Sequence, residues 1–266
     1  MLQYPGFDPV AFELGPLRVH WYGLMYLVGF AAAWWLARLR ARRPGSTWTA
    51  NDVDDLVFYG MVGVILGGRL GYVLFYGLGF WMDDALYPFR IWEGGMSFHG
   101  GMLGVIAAMT LFAKRRGRNV ADVYDFSVPL PAIGLFAGRI GNFINGELWG
   151  KPTDVPWGFS VNGEVRHATQ LYEAFLEGIV LFAVIWWFTS RPRPRLAPSG
   201  LFLVFYGTVR FLIEFLRLPD EHIGYLAGGW FTMGQLLSLP MVIAGVVLLV
   251  IAYRRRAPSG NFAVAR

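Results

Sequence analysis

Arginines inside apolar stretches are the residues of this chain whose type and placement could do chemistry. Arg69, Arg139 and Arg210 each lie in a stretch that is otherwise almost wholly apolar. One arginine at mid-membrane costs about 2.5 to 3.5 kcal/mol even on a lenient insertion scale, so each needs a compensating partner. Two or three guanidinium groups that meet in one cavity can bind a phosphate through forked hydrogen bonds.

A purely structural role is the alternative for these arginines. Each would then pair with a carboxylate and lock two helices together, with Glu147, Glu173 and Glu214 as possible partners. Arg210 and Glu214 are four residues apart, a spacing that suits a pair on one helix. For Arg210 alone, the two interpretations are equally supported.

Depth in the membrane favours a shared site. Counted from the outer ends of their predicted spans, Tyr26, Arg139, Arg210 and His99 lie roughly 3 to 10 Å deep at helical rise. Independent ion pairs have no reason to share a depth. A cavity open to the outer leaflet would collect such groups.

Four basic clusters determine the topology that must position these residues. They lie at 38–43, 114–118, 191–195 and 254–256 and contain 14 of the 23 lysines and arginines. If each lies on the cytoplasmic face, every gap between clusters holds an even number of spans. Two spans per gap and one before the first cluster make seven, with the amino terminus outside and the carboxyl terminus inside.

The apolar windows agree with an all-α integral membrane protein, since a span needs about 20 mostly apolar residues. Spans are predicted near 19–37, 56–76, 97–113, 122–143, 169–189, 200–217 and 232–252. Residues 1–266 are predicted to form one membrane domain. Residues 77–96 are expected to form an interfacial arm, and residues 146–167 a small external head of turns or short strands between spans four and five.

Composition excludes several functions. The chain is 55% hydrophobic and 15% charged, and its positive charges lie beside spans, where anionic lipid accounts for them, so no nucleic-acid partner is expected. The absence of cysteine excludes disulfides, thiolate metal sites and a cysteine nucleophile, so a thiol in the reaction must belong to a substrate. No Walker loop, HExxH or GxSxG motif indicates ATP, zinc or serine chemistry.

Two weaker patterns favour structural roles. Residues 51–55, NDVDD, match the NDxxD motif of intramembrane prenyltransferases, in which carboxylates hold magnesium. A second aspartate-rich motif is missing, and acids at a helix start favour a capping role. Gly63, Gly67 and Gly71 form a small-residue ladder that predicts close helix packing rather than ligand binding.

Residues 138–150, GRIGNFINGELWG, resemble the long and specific signature of the bacterial phosphatidylglycerol:prolipoprotein diacylglyceryl transferases. Further segments similar to that family are 20–26 (HWYGLMY), 94–101 (GGMSFHGG), 166–173 (RHATQLYE), and Tyr206-Gly207 with Arg210, Phe211, Glu214 and Arg217. In the third segment, Ala168 and Thr169 replace the family's Pro and Ser. We expect this difference to alter only how the loop approaches the fifth span.

The resemblance implies transfer of a diacylglyceryl group from phosphatidylglycerol to the lipobox cysteine of a prolipoprotein signal peptide, with release of glycerol phosphate. It implies a multi-pass protein of the bacterial cytoplasmic membrane, with a periplasmic amino terminus and head, and an active site open to the periplasmic half. No cofactor and no metal are expected.

Roles follow from the resemblance taken with the chemistry of each residue. The candidate catalytic residues are His99, Arg139, Arg210 and Glu147; the candidate substrate-binding residues are Tyr26, Asn142, Tyr206, Glu214, Arg217, Gly100 and Gly150. His99 is the candidate base for the thiol, although Glu147 could instead take the proton or orient an arginine. Asn142 is equally suited to bind the phosphate or to tie a broken helix end.

An anion or lipid transporter with an arginine-lined site is the alternative function. A transporter usually shows internal repeats with broken spans in corresponding halves, and this sequence shows no such symmetry. A transport site should also lie near mid-membrane, whereas these arginines are predicted in the outer half.

Overall fold

A computed structural model describes residues 1–15, 17–219 and 224–262, and most of them are helical. The α-helices are α1 (Trp21–Ala41), α2 (Ala50–Phe75), α3 (Leu78–Asp83), α4 (Phe98–Arg115), α5 (Val120–Ser127), α6 (Leu130–Ile144), α7 (Thr169–Glu173), α8 (Leu181–Phe188), α9 (Ala197–Ile213) and α10 (Met233–Arg255). A π-helical turn, Ala174–Val180, joins α7 to α8, and 3-10 turns lie at Tyr87–Phe89 and Ile91–Glu93. The strands are β1 (Leu2–Gln3), β2 (Val10–Leu14), β3 (Leu17–His20), β4 (Phe159–Val161) and β5 (Glu164–Arg166).

Length and composition identify the helices that can cross a membrane. Within the described ranges four segments qualify, namely α1, α2, α10 and the continuous helix Thr169–Phe188. Helices α5 and α6 together make a fifth candidate, bent by 45° at their junction. Pro129 and Pro131 explain the bend, because proline lacks the amide hydrogen that would continue α5. The chain is therefore a helical integral membrane protein with four or five candidate spans among the described residues. Helices α4 and α9 are shorter or less apolar than these.

One unit of the chain comprises residues 1–36 and 125–259. Its apolar core contains Ala132 of α6 and Leu181 and Ile185 of α8, all fully buried, and Tyr206 of α9 packs against them. Helix α1 also approaches α6 closely, since a Cβ on Gly29 of α1 would lie 3.3 Å from the Cα of Gly134 of α6. These contacts bring α1, α6, α8 and α9 together.

The strands of this unit form two small sheets. β4 and β5 pair as an antiparallel hairpin, and β1 pairs in parallel with β4. The hairpin turns at Asn162 and Gly163, whose φ angles of 51° and 84° have the sign that a type I′ turn requires. β2 and β3 form a separate antiparallel hairpin before α1. The hydroxyl of Tyr4 donates to the carbonyl of Phe143 at 2.9 Å, which ties the β1 segment to the end of α6.

The other unit comprises residues 37–124 and 260–266, described to residue 262. In it α2 packs against α4 along the predicted glycine ladder. A Cβ on Gly63 would lie 2.7 Å from the carbonyl oxygen of Gly104, and one on Gly71 would lie 2.7 Å from the Cα of Gly100. Any larger side chain would push the helices apart, so the predicted packing role of the ladder is confirmed.

The aspartates of the NDxxD motif serve the start of α2. Thr49 and Asp52 form a capping box, in which the Thr49 side chain accepts from the Asp52 amide and the Asp52 side chain accepts from the Thr49 amide. Arg118 also pairs with Asp52 at 2.9 Å. The remaining acids of the motif pair with basic residues as well, Asp54 with Arg38 and Asp55 with Arg116. The capping role predicted for this motif is confirmed.

Candidate active site

Three arginines of the first unit converge on the carboxylate of Glu173, the last residue of α7. The Nε of Arg139 on α6 lies 2.8 Å from its Oε2, and Nη1 of Arg217, four residues after α9, lies 2.9 Å from its Oε1. Arg210, on the last turn of α9, also donates to Oε1. Glu173 is fully buried, so one carboxylate in an enclosed setting neutralises parts of three guanidinium groups.

A second carboxylate, Glu214, completes one side of this cluster. Nη2 of Arg210 lies 2.5 Å from Glu214 Oε1, and Nε of Arg217 lies 3.0 Å from the same oxygen. The hydroxyl of Thr232, the N-cap of α10, donates to Glu214 Oε2 at 2.6 Å. The pairing of Arg210 with Glu214 that the four-residue spacing predicts is present.

Glu177 lies beside the cluster and was not among the residues predicted from the sequence. It sits in the π-helical turn, a feature that is frequent at functional sites, and it is fully buried. Neither carboxyl oxygen has a hydrogen-bond partner among the described residues, and Nη2 of Arg139 lies 3.9 Å away. The signal in the sequence was a second glutamate four residues after Glu173 within an apolar stretch.

Asn142 and Glu147 extend the cluster from Arg139 past the end of α6. The Nη1 of Arg139 donates to Asn142 Oδ1 at 3.4 Å, and Asn142 Nδ2 donates to Glu147 Oε1 at 2.7 Å. The Glu147 amide also donates to the Asn142 carbonyl at 3.1 Å. Asn142 therefore ties the helix end to the following loop and links Glu147 to Arg139.

Gly150 fixes the position of Arg217. The two residues form an isolated β-bridge, and the Gly150 amide donates to the His167 carbonyl at 2.8 Å. A Cβ on Gly150 would lie 2.6 Å from the carbonyl oxygen of Leu216. The absence of a side chain at Gly150 therefore allows this loop to pack against the end of α9.

The two candidate tyrosines of this unit lie in different settings. Tyr26, on α1, is 45% exposed, and its hydroxyl lies 3.4 Å from that of Tyr22. Tyr206, on α9, stacks on Phe202 with ring centroids 5.9 Å apart. Tyr206 therefore belongs partly to the core, whereas the Tyr26 side chain is accessible.

His99 and Gly100 belong to the second unit, in the first turn of α4. The Ser97 side chain caps this helix by accepting from the Gly100 amide at 3.2 Å. His99 is exposed, and its ring packs edge-on against Phe98. Gly100 packs against α2, since a Cβ there would lie 2.9 Å from the Cα of Gly71. Close packing is thus sufficient to explain Gly100, and substrate binding there stays a prediction.

Arg69, the third arginine in an apolar stretch, has different partners from Arg139 and Arg210. Its guanidinium donates to backbone carbonyls, including those of Tyr87 at 2.6 Å and Gly94 at 2.5 Å. Its charge is therefore compensated by peptide oxygens of a neighbouring loop. Backbone carbonyls are thus a third kind of partner for a buried arginine, beside the phosphate and the carboxylates that the sequence suggested.

Comparison with known proteins identifies the family. The sequence profile described as prolipoprotein diacylglyceryl transferase matches residues 9–251. The chain belongs to this family. The matched range contains all the residues predicted for catalysis and substrate binding, so the resemblance recognised in the motifs extends over most of the chain.

Relatives in the prolipoprotein diacylglyceryl transferase family are similar over nearly their whole length. Proteins named phosphatidylglycerol–prolipoprotein diacylglyceryl transferase from Oleidesulfovibrio alaskensis and Methylococcus capsulatus are each 58% identical to the chain, covering 96% and 97% of it and 96% and 100% of their own lengths. The protein of that name from Ectopseudomonas mendocina is 53% identical, covering 98% of the chain and 99% of its own length.

Proposed function

We propose that the chain transfers the diacylglyceryl group of phosphatidylglycerol to the thiol of a prolipoprotein's lipobox cysteine and releases glycerol phosphate. Family membership and the names of the relatives support the reaction. The observation that carries the proposal is the convergence of Arg139, Arg210 and Arg217 on one buried carboxylate. Such a cluster suits a substrate whose reacting group is an anionic phosphate.

The reaction moves charge onto the phosphate. The thiolate sulfur bonds to the glyceryl carbon, the bond from that carbon to the phosphate oxygen breaks, and its electron pair stays on the departing oxygen. A phosphodiester with one negative charge thus leaves as a monoester that carries more. Guanidinium groups near that oxygen bind the transition state more strongly than the ground state, which is the condition for acceleration.

Arg139 is the arginine of the cluster that is best placed to bind the phosphate without giving up its ion pair to Glu173. Its Nε is held by Glu173 at 2.8 Å, but among the described residues its terminal nitrogens make only long contacts, 3.4 Å to Asn142 and 3.9 Å to Glu177. Arg210, by contrast, uses one terminal nitrogen on Glu173 and the other on Glu214. Arg139 can therefore exchange its two weak contacts for two parallel hydrogen bonds to the phosphate. Arg210 adds a second positive charge beside that site.

The thiol must lose its proton before the sulfur attacks, because an unperturbed cysteine has a pKa of about 8.5. We assign the base role to His99, which the family resemblance supports and whose exposed ring can meet a substrate. Glu147 is the alternative acceptor. Tyr26, Tyr206 and Asn142 are assigned to hydrogen bonds with substrate, and Glu214, Arg217, Gly100 and Gly150 to shaping the binding site.

The membrane arrangement proposed with this function is the one predicted from the basic clusters. Seven spans would place the amino terminus in the periplasm and the carboxyl terminus in the cytoplasm, in the bacterial inner membrane, with the active site open to the periplasmic half. Residues 1–266 would form one membrane domain, with 77–96 as the interfacial arm and 146–167 as the periplasmic head. Helices at all seven predicted span positions support this arrangement. The transporter alternative is disfavoured by the family.

Reconstitution tests the proposal. The chain would be placed in vesicles that contain phosphatidylglycerol, a lipobox peptide added, and the mass gain on the peptide cysteine followed. Arg139→Ala should lower turnover by about 10²- to 10³-fold, the typical effect of losing one group that stabilises transition-state charge. His99→Gln should also lower turnover severely.

The matched control is Arg18→Ala, since the Arg18 side chain is 70% exposed and its ion pair within the described part of the chain is with the exposed Glu13. This variant should keep the original rate. Full turnover in both Arg139→Ala and His99→Gln would refute the assigned site, and no mass gain with the unaltered chain would refute the reaction.

A further inference from the structure

Arg69 connects α2 to the loop that precedes α4. The residue is 3% exposed. Its Nη2 donates to the Tyr87 carbonyl at 2.6 Å, Nε to that of Pro88 at 3.1 Å, and Nη1 to that of Gly94 at 2.5 Å. A longer contact of 3.4 Å reaches the carbonyl of Gly95. One guanidinium thus holds both ends of the segment between Tyr87 and Gly95.

This segment leads directly into the first turn of α4. Two residues after Gly95, the Ser97 amide donates to the carbonyl of Gly68, the neighbour of Arg69, at 2.9 Å. The Ser97 side chain then caps α4. His99 is the second residue of that helix. Two adjacent residues of α2, Gly68 and Arg69, therefore hold the segment that leads to α4, and the Ser97 cap connects this segment to the helix turn that carries His99.

Two large side chains of the segment contribute little packing of their own. Its aromatic side chains Phe89 and Trp92 are 72% and 76% exposed, so they bury little against the protein. Gly94 and Gly95 both have positive φ angles, 81° and 79°, a conformation that glycine adopts easily but does not enforce. The Arg69 guanidinium also lies 4.7 Å from the centre of the Tyr87 ring, which adds a cation–π contact to the carbonyl bonds.

We propose that Arg69 is a positioning residue for His99. By fixing the loop before α4, it holds the first turn of that helix, and with it the imidazole, in the orientation that accepts the thiol proton. This inference rests on the base role proposed for His99. A misplacement of about 1 Å can lower a rate by about 10²-fold, so loss of the guanidinium should act mainly on kcat.

The variants would be compared in the full-length chain, in phosphatidylglycerol vesicles with the lipobox peptide. Arg69→Gln should lower kcat about 10- to 100-fold and leave KM for phosphatidylglycerol within about twofold. Arg69→Lys should restore only part of the rate, because an ammonium cannot reproduce the planar fork that meets these carbonyls. Arg90→Gln is the matched control, since Arg90 lies in the same segment but makes exposed ion pairs with Asp84 and Glu93. It should keep the original rate.

A double mutant separates positioning from general stability. If Arg69 acts through His99, adding Arg69→Gln to His99→Gln should lower the residual rate by no more than about twofold, since interacting residues are not additive. A further loss as large as in the single variant would refute the inference. The inference would also be refuted if Arg69→Gln kept the original rate while His99→Gln lost activity. An unaltered rate in His99→Gln would refute the base role itself.

Amide hydrogen exchange gives a readout independent of turnover. The amides of Gly100 and Gly101 donate to Ser97 at 3.2 and 2.9 Å, so they report on the helix start. In Arg69→Gln, peptides covering residues 97–104 should exchange at least about tenfold faster while those of α10 stay unchanged. Unchanged protection at 97–104, or faster exchange throughout the chain, would overturn the proposal.

Discussion

Neutralising Glu173 tests the arginine cluster most directly. In Glu173→Gln the shape of the side chain is kept and its charge is removed. The amide keeps one acceptor oxygen and replaces the other with an NH2 group, so donors then face either Arg139 or both Arg210 and Arg217. Arg210 and Arg217 keep Glu214 as a partner, but the nearest remaining carboxylate to Arg139 is Glu177, at 3.9 Å.

The expected magnitude follows from the burial of the carboxylate. Removing one partner of a buried ion pair costs about 3 to 5 kcal/mol, because a charge is left without compensation. In a domain of 150 to 250 residues, each kcal/mol shifts the melting temperature by about 2 to 4 °C. Glu173→Gln should therefore lower the melting temperature by about 6 to 20 °C.

The assay is thermal unfolding of the purified chain, followed at one scan rate for every variant. Glu164→Gln is the matched control, because Glu164 also pairs with an arginine, Arg166 at 2.5 Å, but its side chain is 47% exposed. An exposed pair contributes about 0 to 1 kcal/mol, so this variant should melt within about 4 °C of the original chain. If the melting temperature of Glu173→Gln equals that of the control, the cluster does not provide the buried electrostatic stabilisation assigned to it.

Two further predictions concern the loop next to the cluster. Gly150→Ala would place a Cβ 2.6 Å from the Leu216 carbonyl oxygen and should destabilise the chain by about 1 to 3 kcal/mol. Gly138→Ala, inside α6 with no atom outside its own helix within 4 Å, should leave the melting temperature unchanged or slightly higher, because alanine favours a helix over glycine. Equal melting temperatures would contradict the close-contact argument. Burial lowers the pKa of His167, so the folded chain binds fewer protons than the unfolded chain, and stability should fall as the pH drops below about 6.5. His167→Gln should flatten the dependence of melting temperature on pH between about 7 and 5, and an unchanged slope would exclude His167 as its source.

Local relations in the chain could be predicted from the sequence. The pairing of Arg210 with Glu214 follows from their spacing, because residues four apart meet on one helix face. The capping role of Asp52 and the packing role of Gly63 follow from similarly short-range rules. The motif at 138–150 identified the family, since a long run of specific residues carries that information without any structure.

The partners of the other buried charges depended on the tertiary structure. Arg69 and Arg139 are both arginines in apolar stretches, yet one binds carbonyls of a loop and the other binds Glu173. Glu173 contacts Arg210 and Arg217 across 37 and 44 residues of chain, and Glu177, in the π-helical turn after α7, lies beside the same cluster.

Insertion into a membrane explains why these charges must be compensated, and that requirement is visible in the sequence. The choice of partner is set by which helix faces meet and how loops return, and neither leaves a periodic signal along the chain. The sequence by itself therefore determined that Arg69, Arg139 and Arg210 need partners, and the packing of the helices decided which groups compensate them.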